Sequence, residues 1–116
     1  MFDKRVHDDW TAPDTPAARS LLESLADARR RENQSAAKRL RLAAELFEMR
    51  RAERGEAADW AVDTWAAAGA EIAAVLCISL GRAGSALNYG LAMRRLPAVA
   101  AVFEAGDIDL DLYRVI

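Results

Sequence analysis

The side chains able to do chemistry in this 116-residue chain are few, and most of them stand alone. His7 is the single histidine, in the run His7-Asp8-Asp9, and Cys77 is the single cysteine. A zinc site needs several such ligands, and an activated nucleophile needs a neighbouring base, so neither chemistry finds a second member. Asp107, Asp109 and Asp111 fall two apart, as the first carboxylates of a calcium loop do. Ile108, Leu110 and Leu112 alternate with them, however, and the glycine such a loop requires is missing, so they read as turn and cap residues. No catalytic residue, metal ligand or cofactor is expected, and neither is an enzyme.

The chemistry these residues do support is hydrogen bonding and charge directed at a polyanion. Segment 71–95, EIAAVLCISLGRAGSALNYGLAMRR, reads as two helices joined at Cys77-Ile78-Ser79, the outline of a helix-turn-helix. Ala73 is small where two axes must cross closely, Ile78 plugs the turn, and Ser79 caps the second helix. Ala83 and Leu87, four apart, then face inward. Cys77 stands where a glycine would be most comfortable. Toward duplex DNA, Arg82, Ser85, Asn88 and Tyr89 offer groups for base edges, and Arg94 and Arg95 neutralise phosphates. On the same outward face Gly84, Ala86 and Gly90 offer nothing to a base and suit a helix-packing groove. Spacing alone leaves DNA contact and close helix packing both open.

The elements that hold these residues are helical. Thr15 is a good N-cap, with Pro16 at the first helical position. Apolar residues recur at Leu21, Leu25, Ala28, Ala36, Leu40, Ala43 and Phe47, in steps of three, four and their sums. Leu22, Leu42, Leu46 and Met49 widen that stripe. Residues 30–35 are polar all round, and one long helix through them is preferred to a break capped by Ser35; Gly55 ends it. Asp59 caps a second helix carrying Trp60, Val62, Trp65, Ile72, Val75 and Leu76, with Gly69 as a weak point. Ser79 opens a third, Pro97 a fourth that Gly106 stops, and Asp109 a fifth. The expected fold is all-α, a long N-terminal amphipathic helix packed on shorter helices that include the helix-turn-helix-like unit. A flexible tail over 1–15 precedes a helical domain over 16–116, which stops inside an element just begun, as a truncated domain would.

Apolar residues make up 53 % of the chain, with alanine prominent, which favours helices. Net charge is −2, but 19–54 holds ten basic residues against six acidic, while 104–114 holds four acidic against one basic. The clusters Arg29-Arg30-Arg31, Lys38-Arg39-Arg41 and Arg50-Arg51-Arg54 read first as a solvated face, with a phosphate-facing stripe as the alternative. A lone cysteine suggests a reducing, cytoplasmic setting. No apolar run is long enough for a membrane span, and the N-terminus has no signal-peptide core. A wide apolar stripe on the long helix makes self-association, in a purely structural module, the rival to DNA binding.

Segment 71–95 together with the following LPAVAAVFEAGDIDLDLYRVI resembles the helical region of the 13E12 repeat family, a domain of unknown function. The most specific blocks are Leu76-Cys77-Ile78-Ser79 and Leu96-Pro97 followed by Gly106-Asp107-Ile108, and the resemblance covers about 21–116. It implies a helical domain that stands before an HNH endonuclease domain in proteins tied to repeated or mobile DNA. The histidines and asparagine of that metal centre are absent here, so nuclease activity does not carry over. The implied role is non-catalytic and DNA-associated.

Overall fold

The structure, a computed structural model, describes residues 11–54 and 58–116, without the side chains of 58–62. It is all-α in those residues, with five helices: α1 (Pro16–Arg54), α2 (Ala58–Leu76), α3 (Leu80–Arg95), α4 (Pro97–Glu104) and α5 (Leu110–Val115). Thr15 caps α1 as expected, its Oγ1 accepting from the Ala18 N–H at 3.1 Å. The expected stop at Gly55, the anchors Trp60 and Val62, and His7 lie outside what is described. Asp59 is not a cap, because α2 already begins at Ala58. Nor does Gly69 interrupt α2, which runs on to Leu76.

α1 is a single uninterrupted helix of 39 residues, and every other helix packs against it. At about 1.5 Å per residue it accounts for most of the molecule's 68 Å length. The polar stretch in its middle has a specific partner. Arg30 donates to the Ala105 carbonyl at 2.9 Å, Gln34 to the same carbonyl at 3.2 Å, and Asn33 to the Gly106 carbonyl at 3.1 Å. Arg29 pairs with Asp109, and Arg30 with Asp107 at 2.6 Å. Residues 29–34 thus clasp the α4–α5 loop, which needs donors and cations from the helix where a core needs apolar groups. Gly106 is the only residue type that fits there: its φ is +86°, and a Cβ would lie 2.7 Å from the Arg30 carbonyl oxygen.

The core forms two clusters bridged by α3. In one, Leu40 of α1 packs with Ala86 and Met93 of α3, Phe103 of α4 and Tyr113 of α5. In the other, Ala43 and Phe47 of α1 meet Ile72 and Ala73 of α2 with Ala83 and Leu87 of α3. Phe103 stacks on Tyr113 with ring centroids 4.7 Å apart, and Tyr113 donates its hydroxyl proton to the Tyr89 carbonyl at 2.8 Å. Arg50 grips Glu71 with two parallel bonds of 3.1 and 2.7 Å, tying α1 to α2. By contrast, the first turns of α1 stand largely exposed: Leu21, Leu22 and Leu25 are each more than 60 % exposed.

Candidate nucleic-acid interface

The turn between α2 and α3 is built as a helix-turn-helix requires. α2 ends in a Schellman motif: Cys77 takes φ +55°, and the Ile78 N–H reaches back to the Ala73 carbonyl at 3.0 Å. Cys77 therefore occupies the left-handed position that glycine fills most easily, as its place in the sequence suggests. Ser79 then starts α3 in extended backbone, its hydroxyl accepting from the Arg82 N–H at 3.1 Å. Ile78 is half-buried over the second core cluster, beside Ala73, Ala83 and Leu87. The chain bends by 109° across this turn, within the roughly 90–120° of helix-turn-helix pairs.

Burial divides α3 into faces. Ala83, Ala86, Leu87, Gly90 and Met93 are buried. Ala86 and Gly90, expected outside, thus belong to the inner side, and Gly90 sits so close to α1 that a Cβ would come within 2.2 Å of the Leu40 carbonyl oxygen. The small residues are there for packing. Gly81, Ser85, Asn88, Ala92 and Arg95, in alternating steps of four and three, form the opposite row, of which all but the half-buried Ala92 are exposed.

The six expected contact residues do not share one surface. Asn88 and Arg95 lie on that outer row. Arg82 and Tyr89 turn toward α1 and α5 and, with Ser85 at the edge of the outer row, line a cleft of about 240 Å³. Arg94 points the other way and pairs with Glu48 of α1 at 3.7 Å. Two further arginines reach the cleft, Arg39 from α1 and Arg114 from α5. Arg114 stands over the Tyr89 ring, 5.8 Å from its centroid. Arg39 belongs to the basic cluster Lys38-Arg39-Arg41 but its facing depends on how α1, α3 and α5 assemble, and Arg114 is a single base in an acidic stretch.

The basic excess of α1 is largely neutralised from within. Arg29 and Arg30 hold Asp109 and Asp107, Arg41 holds Glu45 and Glu104, and Arg50 holds Glu53 and Glu71. The Leu112 N–H, and after it Arg29, keep the Asp109 carboxyl below its ordinary range. Arg50 does the same for Glu71. Among the described residues Lys38, Arg39, Arg51, Arg82 and Arg95 form no ion pair; of these, Arg39 and Arg82 line the cleft and Arg95 lies on the outer row of α3. Among those residues no group of three His, Cys, Asp or Glu side chains could hold a metal ion, and no single helix is long and apolar enough to cross a membrane.

A five-helix unit with a capped, open helix-turn-helix therefore defines the class. The chain belongs to the family described as "Domain of unknown function (DUF222)", matched over residues 27–116, which is consistent with the resemblance to 13E12 repeat proteins. It is 42 % identical over 97 residues to "Uncharacterized protein Rv2100" of Mycobacterium tuberculosis, covering 84 % of this chain and 18 % of that protein. It is 38 % identical over 116 residues to "Uncharacterized protein Rv3776" of the same organism, covering 100 % of this chain and 22 % of the relative. Another relative, "Uncharacterized protein in est 3'region", shares 38 % over the same 116 residues, which are 33 % of its length. The chain thus spans a third or less of these relatives. No solved structure matches it.

Proposed function

We propose that this is a non-catalytic, DNA-associating helical domain of the kind that stands before HNH endonuclease domains in 13E12 repeat proteins. The observation that carries the reading is the open outer face of α3, set on a capped turn with helix-turn-helix geometry. Asn88 and Ser85 present base-reading groups, and Arg95 presents an unpaired cation for a phosphate. Arg82 supplies a second phosphate contact near the helix N-terminus, and Tyr89 borders it. Arg94 is a weaker member of the set, because reaching DNA means giving up Glu48.

Fluorescence anisotropy with a labelled duplex at several salt concentrations tests this. Arg95→Ala should weaken binding across sequences and reduce the salt slope by about one, while Asn88→Ala should relax sequence preference. Absence of binding even at low salt refutes it, as does affinity indifferent to both substitutions.

One observation favours a second reading, a self-associating structural module. Ala18, Leu21, Leu25 and Ala28 follow the three-four-three spacing of a coiled-coil seam on the largely exposed start of α1, and such a seam fits a second copy of itself. Light scattering should then show a dimer that Leu21→Ser with Leu25→Ser dissolves; a monomer at every concentration removes this reading.

A further inference from the structure

The cleft between α1, α3 and α5 has a chemistry of its own. Three guanidinium groups, Arg39, Arg82 and Arg114, enter it from three different helices, and no carboxylate lines it. Most other arginines of α1 are paired, Arg51 excepted; here Arg39 and Arg82 have no acidic partner among the described residues. Asp111 at 3.8 Å is the one carboxylate near Arg114. Leu40, Ile78 and Leu110 form an apolar floor that limits hydration, and the Ser85 hydroxyl offers a neutral donor beside the cations. Like charges gathered over an apolar floor repel one another, and an anion of complementary geometry relieves that repulsion. Guanidinium forks match the oxygens of a phosphate in pairs, which a single ammonium cannot do.

We infer that this cleft is a phosphate site, with Arg39, Arg82 and Arg114 binding one phosphate group, either of a nucleic-acid strand or of a free phosphate. The strand source rests on the DNA reading above; the site itself does not. Tyr89, held beside Arg114, closes one wall. A strand phosphate seated here lies to one side of the outer row of α3, so the cleft fixes where the helix sits along the backbone while Asn88 reads.

The test uses the whole 116-residue chain. Inorganic phosphate is titrated against chloride at matched ionic strength by calorimetry, and a short labelled duplex is titrated by anisotropy. Both are repeated with Arg39→Ala plus Arg82→Ala and, separately, with Arg114→Ala. All three side chains are exposed, so the variants should keep the native helical circular dichroism. Phosphate should bind saturably, and each arginine removed should weaken it roughly tenfold or more. If duplex binding falls in parallel and phosphate competes with it, the strand is the source. If phosphate binds but the duplex does not, or binds without regard to these arginines, the site stands with free phosphate as its ligand. If phosphate does not saturate, or the variants bind it as the parent does, the inference is overturned, whether or not the duplex binds.

Discussion

Gly90 gives the fold its sharpest test. A glycine inside an exposed helix costs about 1 kcal/mol relative to alanine, so replacing one normally stabilises. The half-buried Gly84 and the buried Gly69 both have room for it, with nothing within 4 Å of the Cβ each would gain. At Gly90 the new methyl would lie 2.2 Å from the Leu40 carbonyl oxygen and 3.1 Å from the Ala44 Cβ. A carbonyl oxygen on a helix backbone cannot swing aside, so α1 and α3 must separate by about 1 Å to restore van der Waals distance. Overpacking costs about 1–3 kcal/mol, and against immovable backbone the upper part of that range applies, leaving a net loss of about 1–2 kcal/mol after the gain in helix propensity. At about 4 °C per kcal/mol for a domain of this size, Gly90→Ala should lower Tm by roughly 4 °C or more, while Gly84→Ala raises it by roughly 2–4 °C. Thermal unfolding followed by circular dichroism measures both. If Gly90→Ala raises Tm as Gly84→Ala does, the two helices do not cross at this residue and the reasoning fails.

Further outcomes follow from other local features. Cys77→Gly should stabilise by about 1 kcal/mol by relieving the left-handed backbone, and chemical denaturation would show the midpoint rising without a change in slope. Phe103→Ala, at a fully buried ring, should destabilise by about 3–5 kcal/mol, and Tyr113→Phe, which loses only a hydroxyl bond, by about 1 kcal/mol; comparable losses from the two would contradict the packing described. Asp109 and Glu71 titrate below their unfolded values, so their contribution is present above about pH 4 and is lost as pH falls through the folded values. Burial raises the Tyr113 hydroxyl above its ordinary value, with Arg95 opposing, so its contribution holds below about pH 10 and is lost as pH rises past it. Tm should therefore fall at both extremes, and Asp109→Asn should flatten the acid limb; an unchanged limb in that variant would rule out Asp109 as a cause.

Local signals in the sequence are legible because each acts within a few residues. Thr15, Ser79 and Asp109 each accept a backbone N–H three residues on, and Gly106 and Cys77 both take positive φ at helix ends. Asp59 failed as a cap because a capping residue is a permission rather than a command, and α2 begins one residue earlier. The candidate site was less legible. Helical periodicity gives the relative angle between residues but not which sector meets α1. It therefore puts Gly90 and Ala86 outside and Arg94 beside Arg95, whereas packing on α1 buries the first two and turns Arg94 toward Glu48. The meaning of the polar stretch 29–34 was equally hidden, since its partners lie more than 70 residues away in sequence.

That separation has a consequence for how the chain is made. During synthesis α1 emerges with its row of donors and cations already arranged, and the carbonyls and carboxylates that satisfy them arrive only with residues 105–109. Until then the midsection of α1 is held by water alone, and Leu40 lacks its neighbours Phe103 and Tyr113. The contacts of this loop with α1 are thus among the longest-range in the domain and form only once residues 105–109 are present.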